Sequence, residues 1–301
     1  MAVVTPTLIQ NLFTAWRADF QKGQGEAELQ WKKIATVIQS TTKSNTYGWL
    51  GKFPQLREWI GDRVVNDMKA HGYQITNKTF EGTVGVDRDD IEDDEVGIYS
   101  PLFEEMGRAA EVQPEELIFA LLAAGTSTTC YDGQYFFDTD HPVYPNADGT
   151  GTAASVANWD DNAGSGTPWF LLDTSRAIKP LIFQQRRKPA LKAMTKMDDE
   201  AVFTSNQFRF GVDARHNVGF GFWQMAYGSR KTLNADNLWA AIEAMRAFEA
   251  DGGRKLGIKP TVLVVPTSME KLATRLLERE LDSNSSNELK GRLELIVADY
   301  L

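Results

Sequence analysis

The chain has 301 residues, 42% of them hydrophobic, and a formal charge of −9; it can bury a sizeable core and lies near the size at which single cores divide, so two compact lobes with extensions are expected. The acidic balance excludes a protein that wraps nucleic acid through a broad basic face. A single cysteine, Cys130, excludes an intrachain disulfide framework.

The opening MAVVTPTLIQNLF lacks both a basic start and a signal-length apolar core. With no apolar run approaching about 18 residues, a chain made in the cytoplasm without a membrane span is expected. Within residues 7–20, Leu8, Leu12, Phe13, Trp16 and Phe20 recur at helical spacing and predict a short amphipathic helix ahead of the polar, glycine-containing residues 21–26. Residues 31–37 form a brief apolar segment that leads into the polar residues 39–45.

The long arm that follows, TYGWLGKFPQLREWIGDRVVNDMKAHGYQITNKTFEGTVGV, sets Trp49, Phe53, Trp59, Val64 and Val65 among Lys52, Arg57, Glu58, Asp62, Arg63 and Asp67. Its second half, residues 74–86, alternates as a strand does. Leu56, Trp59, Ile60, Val64 and Met68 also fit a helical stripe, so periodicity leaves residues 56–68 open. Gly61, the Val64-Val65 pair and the turn signal His71-Gly72 favour a hairpin. Two limbs of ~14 residues at ~3.3 Å each carry the tip ~46 Å outward, against a radius of gyration of about 19 Å for a compact chain of this length. Aromatic groups held so far out need a partner surface, which suits a subunit that holds its neighbours. The acidic run Asp87, Asp89, Asp90, Glu92, Asp93 and Asp94 closes the arm and reads first as a solvated face.

Ser100 and Pro101 spell a cap and a first-turn proline, and Leu102, Phe103, Met106 and Ala110 make one helical face. Pro114 starts or kinks a further helix through Ile118, Leu121 and Leu122 that Gly125 terminates, giving a long, broken helix as the backbone of a lobe. Residues 144–168, rich in Gly, Ala, Ser, Asn and Asp, read as a surface loop or insertion and the most mobile segment. Strand-like runs at 169–172, 178–184 and 201–228 are expected to form one sheet. In the last third, Asn234 caps a helix presenting Leu238, Ile242, Met245 and Phe248. Residues 261–265 are a short buried strand, Thr267 with Glu270 spells a capping box for a second helix, and residues 293–297 are a strand. Together these describe a compact α/β lobe.

Chemistry is sparse. The three histidines, His71, His141 and His216, share no helical-face spacing, so no His/Cys zinc motif assembles. In FFDTDHP, Asp138, Asp140 and His141 offer up to three ligands for a divalent metal. A turn in which an aspartate bonds local backbone explains the same residues with fewer demands. Cys130 sits beside Tyr131 and Asp132 without an identifiable base and reads as structural, and no GxSxG elbow or phosphate loop occurs. Catalysis and cofactor binding are therefore not expected. A basic cluster, Arg186, Arg187 and Lys188 with Lys192 and Lys196 downstream, has three readings: phosphate contact with nucleic acid, docking on the acidic 87–94 run of a neighbouring copy, or a solvated face.

The strings SNTYGWLGKFPQLREWIGDR, NKTFEGTVGVDRDDIEDD, CYDGQYFFDTDHPVYPN, KPLIFQQRRKP, FGFWQMA and LKGRLELIVADYL span the chain to its last residue. They resemble the major head subunit of Mu-like bacteriophages. The resemblance implies an α+β capsid fold of the Hong Kong 97 type: residues 1–45 as an N-terminal arm, 46–86 as an extended β-hairpin loop, 87–232 as a peripheral domain with a long spine helix, and 233–301 as an axial α/β domain. In many capsid proteins of that fold the chain returns from the axial lobe to peripheral strands, whereas here the strand-rich residues 169–228 come first.

Membership would make the chain a major capsid protein that assembles with itself into hexamers and pentamers of an icosahedral head enclosing double-stranded DNA. It would be made in the host cytoplasm and located in the virion. A separate scaffolding protein, a portal and a decoration or minor capsid protein are implied partners. DNA would be touched without sequence reading, and no cofactor, metal or membrane is involved. The candidate inter-subunit contacts are Trp49, Phe53, Arg57, Glu58, Trp59, Arg63, Asp67, Asp87, Asp89, Asp90, Arg186, Arg187 and Lys188. Two alternatives stand beside this reading: a cellular nanocompartment shell of the same fold, and a metal-dependent hydrolase using Asp138, Asp140 and His141.

Overall fold

A computed structural model of the chain describes residues 4–50, 72–93, 96–196, 199–282 and 285–301. The first half contains helix α1 (Pro6–Glu26), the short α2 (Trp31–Ile34), strands β1 (Ala35–Gln39), β2 (Ser44–Thr46), β3 (Gln74–Thr76) and β4 (Lys78–Asp87), then α3 (Arg88–Glu92) and α4 (Ser100–Ala123). Next come β5 (His141–Val143), β6 (Ala154–Val156), β7 (Trp159–Asp160), β8 (Trp169–Leu172), β9 (Leu181–Met194), α5 (Glu200–Ser205), β10 (Gln207–Phe220) and β11 (Ala226–Ser229). The chain ends with α6 (Ala235–Ala247), β12 (Glu249–Ala250), β13 (Arg254–Lys255), β14 (Val262–Pro266), α7 (Glu270–Glu278), β15 (Leu281–Asp282), β16 (Ser285–Ser286) and β17 (Glu294–Ala298).

Two sheets organise these elements. One is four-stranded in the order β1-β9-β10-β4, the other five-stranded in the order β17-β14-β8-β11-β7. One end of the four-stranded sheet overlies a smaller apolar cluster, its other end shares the larger cluster with the five-stranded sheet, and α4 enters both. Phe103 of α4 joins Ile9, Trp16, Phe20, Phe208 and Phe210 under the first sheet. A little over four turns on, Ile118, Phe119 and Leu122 enter the larger core with Phe170, Leu171, Val264 and Met245. Pro114 lies inside α4, which nevertheless runs as one helix of 24 residues rather than two. Adjacent Glu115 is buried, and its carboxylate accepts the backbone N–H groups of Gln30 (2.9 Å) and Trp31 (3.4 Å), capping the start of α2. Burial raises the Glu115 carboxyl, and those two amides oppose the shift.

The N-terminal helix extends past the expected end, through Gly23 and Gly25. The reason is tertiary. A Cβ on Gly23 would lie 1.9 Å from the Glu104 carbonyl oxygen, and one on Gly107 would lie 2.0 Å from that of Phe20, so α1 and α4 cross backbone to backbone at these two glycines. Stacking of Trp16 on Phe103, at 4.9 Å between ring centres, follows from that approach.

Several expectations are corrected. The strand-rich residues 169–228 do not form one sheet. Strands β9 and β10 pair with β1 and β4, while β8 and β11 complete the five-stranded sheet around β14. Their compositions explain the split, since β8 (WFLL) and β14 (VLVVP) are buried at every position, as central strands covered on both faces must be. Residues 201–205 are helical, not extended. The polar stretch 144–168 is not merely a surface loop, because β7 joins the edge of the five-stranded sheet and Asn158 and Trp159 are buried. Leu102 stands outside the buried face of α4. Ser100 is the first helical residue and not the cap, a position taken by Tyr99 without a side-chain hydrogen bond. A 3₁₀ turn at Thr267–Met269 precedes α7, so the capping box spelled by Thr267 and Glu270 does not form.

The loop's expected strand from 74 to 86 exists in two pieces with different partners. Strand β3 pairs antiparallel with β2, whereas β4 pairs with β10 from Asp87↔Gln207 to Lys78↔His216. Buried Asn77 divides them, its amide nitrogen donating to Ser40 Oγ (2.9 Å) and the Thr42 carbonyl (3.0 Å). The helix-or-hairpin question over residues 56–68 lies outside the described residues. Asn234 caps α6 as expected, accepting from Asn237 N at 2.8 Å.

Candidate assembly surface

Of the loop residues expected to meet a neighbour, Phe53, Arg57, Glu58, Trp59, Arg63 and Asp67 lie outside the described residues. Trp49 is at the root of the loop and is half-buried, its ring against Tyr47 (5.9 Å) and Phe222 (5.8 Å). It packs against the larger core.

The acidic run forms α3 at the far end of β4, tied to its own chain. Asp90 accepts the Tyr99 hydroxyl, the Asp87 backbone amide donates to the same hydroxyl at 3.3 Å, and Asp89 accepts Asn206 Nδ2 at 3.0 Å. Those bonds lock α3 to the start of α4 and to the end of α5. Asp89 and Asp93 remain exposed.

The basic cluster lies mid-strand on β9. Pro189 interrupts the strand there, and the facing β10 shifts register between Asp213 and His216, a bulge that accommodates the missing N–H. The bulge brings Arg187 and Lys192 onto Asp213 as ion pairs; the Lys192 hydrogen bond is the main cause holding the Asp213 carboxyl below its ordinary range. Arg186 and Lys188 stay exposed, and Lys188 rims a recess of about 470 Å³ floored by Trp31, Phe183 and His216. Among the described residues no ion pair joins the acidic run to this basic strand.

Asp138, Asp140 and His141 do not gather into a site. Asp138 accepts the backbone amides of Tyr135 (3.1 Å) and Thr139 (2.7 Å), the turn the sequence favoured. His141 turns inward, fully buried and stacked on Trp223 at 4.1 Å. Its Nδ1 meets Asp132 Oδ2 at 2.7 Å and its Nε2 meets Asn158 Oδ1 at 3.2 Å. Asn158 has only one workable orientation: Nδ2 faces the carbonyls of Phe136 (2.8 Å), Trp223 and Ala226, and Oδ1 accepts Asp138 N (2.9 Å). His141 Nε2 therefore donates to that oxygen, and Nδ1 donates to the Asp132 carboxylate.

Cys130 Sγ donates to Asp132 Oδ1 at 3.0 Å, so Cys130, Asp132 and His141 offer ligand atoms within 4.8 Å of one another. The group fits a structural clamp better than a metal or a nucleophile. Burial pushes the Cys130 thiol well up, away from the thiolate either role needs. Burial would also raise Asp132, but the His141 hydrogen bond and charge, with the Cys130 thiol and the Gln134 amide, outweigh it and hold the carboxyl low. Among the described residues the hydrogen-bond partner of the sulfur is the Asp132 carboxylate, itself held by His141. Sequence spacing could not have found Asn158, which comes from the stretch read as loop; Trp159, a large aromatic amid small polar residues, was the available signal.

Comparison with known proteins explains why binding surfaces and not reactive groups dominate. The chain is 59% identical to the major capsid protein of Escherichia phage Mu, covering 99% of this chain and 100% of that one. A chain of the bacteriophage JBD30 procapsid superposes with a TM-score of 0.88 at 54% identity, covering 99% and 100% of the two chains. The JBD30 capsid decorated with minor capsid protein trimers matches at 0.76 and 39% identity over 100% of each. The fold is accordingly the α+β capsid fold of the Hong Kong 97 type. A family model described as Mu-like prophage major head subunit gpT matches residues 9–301, and by that near-complete match the chain belongs to this family of phage head subunits.

Proposed function

We infer that the chain is the repeated structural unit of a phage head, assembling with itself into hexamers and pentamers of an icosahedral shell around double-stranded DNA, without catalysis. Its full-length likeness to head subunits carries this reading. The separation of charge adds a physical basis: an acidic helix at the end of one sheet and exposed Arg186 and Lys188 mid-strand do not meet within a chain, and opposite charges set register between copies. A net charge of −9 suits an inner wall that touches DNA without gripping it. Many weak contacts closing together make the shell far more persistent than any pair. A separate scaffolding protein, a portal and a minor capsid protein of the kind that decorates the JBD30 capsid are the partners this role calls for. Of the span 46–86 expected as the extended loop, the part before β4 forms the reach toward a neighbour, with Trp49 at its root, while β4 stays in the sheet beside β10.

Electron microscopy of the purified full chain tests the reading, with closed shells or capsomers expected. A monodisperse monomer at every concentration and salt tried would refute it.

A further inference from the structure

Of the large apolar side chains left exposed, Phe203 (90%), Ile98 (63%), Met194 (44%) and Leu102 (43%) gather at one end of the four-stranded sheet. Their common location follows from topology. Met194 ends β9, opposite Arg209 of β10. Helix α5 caps that end and is bonded to α3 through Asn206, which accepts the Arg88 amide at 3.0 Å and donates to Asp89. Tyr99, between Ile98 and Leu102, is bonded to Asp90 of the same α3. Phe203 does not face outward through fraying, because its neighbours Ala201 and Val202 are buried and fix the turn of the helix.

We propose that this tip is a contact between copies of the chain: Phe203, Ile98, Leu102 and Met194 seat against the adjacent copy, with its Lys196 facing Asp93. The inference rests on the shell reading and names a surface within it. Two observations select another copy as the occupant. The apolar area is roughly a few hundred Å², well below the about 800 Å² per partner that sustains a free dimer, so it suits a contact that holds only when many close at once. The rim is also self-complementary. The order β9-β10-β4 puts exposed Asp89 of α3 and Asp93 at its C-terminal cap on one flank and exposed Lys196, beyond β9, on the other. Asp93 of one copy can therefore meet Lys196 of the next, in a head-to-tail contact or in a two-fold one whose axis crosses the flanks.

The test compares assembly of full chains. Phe203→Ser removes no core contact, so the unassembled subunit should keep its unfolding midpoint while the concentration needed to form shells rises about tenfold. Lys196→Glu and Asp93→Lys should each impair assembly, and the double variant should restore it. Wild-type assembly with unchanged assembly of Phe203→Ser overturns the proposal, as does a double variant no better than either single one. Normal shells from Phe203→Ser that have lost only an accessory protein would also overturn it, assigning the tip to that partner. Failure of the wild type to form shells at all would instead refute the parent reading.

Discussion

Replacing Gly107 with alanine tests whether the N-terminal helix is held by a backbone-to-backbone crossing. The new methyl carbon would lie 2.0 Å from the Phe20 carbonyl oxygen, and the closest comfortable carbon-to-oxygen approach is about 3.3 Å, so the helices must part by roughly 1.3 Å. Neither atom belongs to a side chain that can swing aside. Full undocking would expose Ile9, Trp16 and Phe20, now 3%, 2% and 2% accessible, at about 6–8 kcal/mol; the overpacking strain is about 1–3 kcal/mol. The helix should therefore stay docked but displaced, loosening the Trp16–Phe103 stack, with a net loss of about 2–3 kcal/mol. Urea unfolding of the unassembled chain reads the loss, and hydrogen exchange should localise it to residues 6–26. Gly25→Ala is the control. A Cβ there meets nothing within 4 Å, so that change should be neutral or stabilise by up to about 1 kcal/mol. Equal midpoints for the two variants would show that the crossing does not constrain the helix.

Two further predictions concern buried polar groups. His216 is stacked on Phe80 at 4.7 Å with Nε2 unpartnered, and burial lowers it from 6.5 to about 4. The unfolded chain therefore takes up the proton first, so this contribution to stability is complete above pH 6.5 and is lost as pH falls toward about 4. The expected loss is about 2–3 kcal/mol, and His216→Phe should flatten the dependence of the urea midpoint over that window; identical pH profiles for variant and wild type would contradict it. Asn158→Ala should cost about 2–4 kcal/mol, because it orphans Asp138 N, His141 Nε2 and the Phe136 carbonyl together. The near-ultraviolet circular dichroism of Trp223, stacked on His141, should change with it, and an unperturbed spectrum with an unshifted midpoint would remove Asn158 from the clamp.

Much of the architecture was legible because it is written in local patterns. The 3.6-residue spacing of Trp16 and Phe20, the alternation after Gln74, the Asn234 cap and the run Val262–Val265 each report a periodicity or a backbone need that holds whatever the rest of the chain does. Family membership was legible for a different reason, since long strings of matching residues need no geometry to be compared. Tertiary structure decided which strands share a sheet, because β8 and the start of β9 are alike buried at four successive positions and only their long-range partners, β14 and β11 against β1 and β10, separate them. It also decided that Gly107 and Gly23, the latter in a stretch read as following the first helix, are where α1 meets α4, and that a cysteine, an aspartate, a histidine and an asparagine spread over residues 130–158 form one bonded group. Such contacts join residues distant in sequence, and a one-dimensional pattern records what each residue prefers but not which surface will be pressed against it.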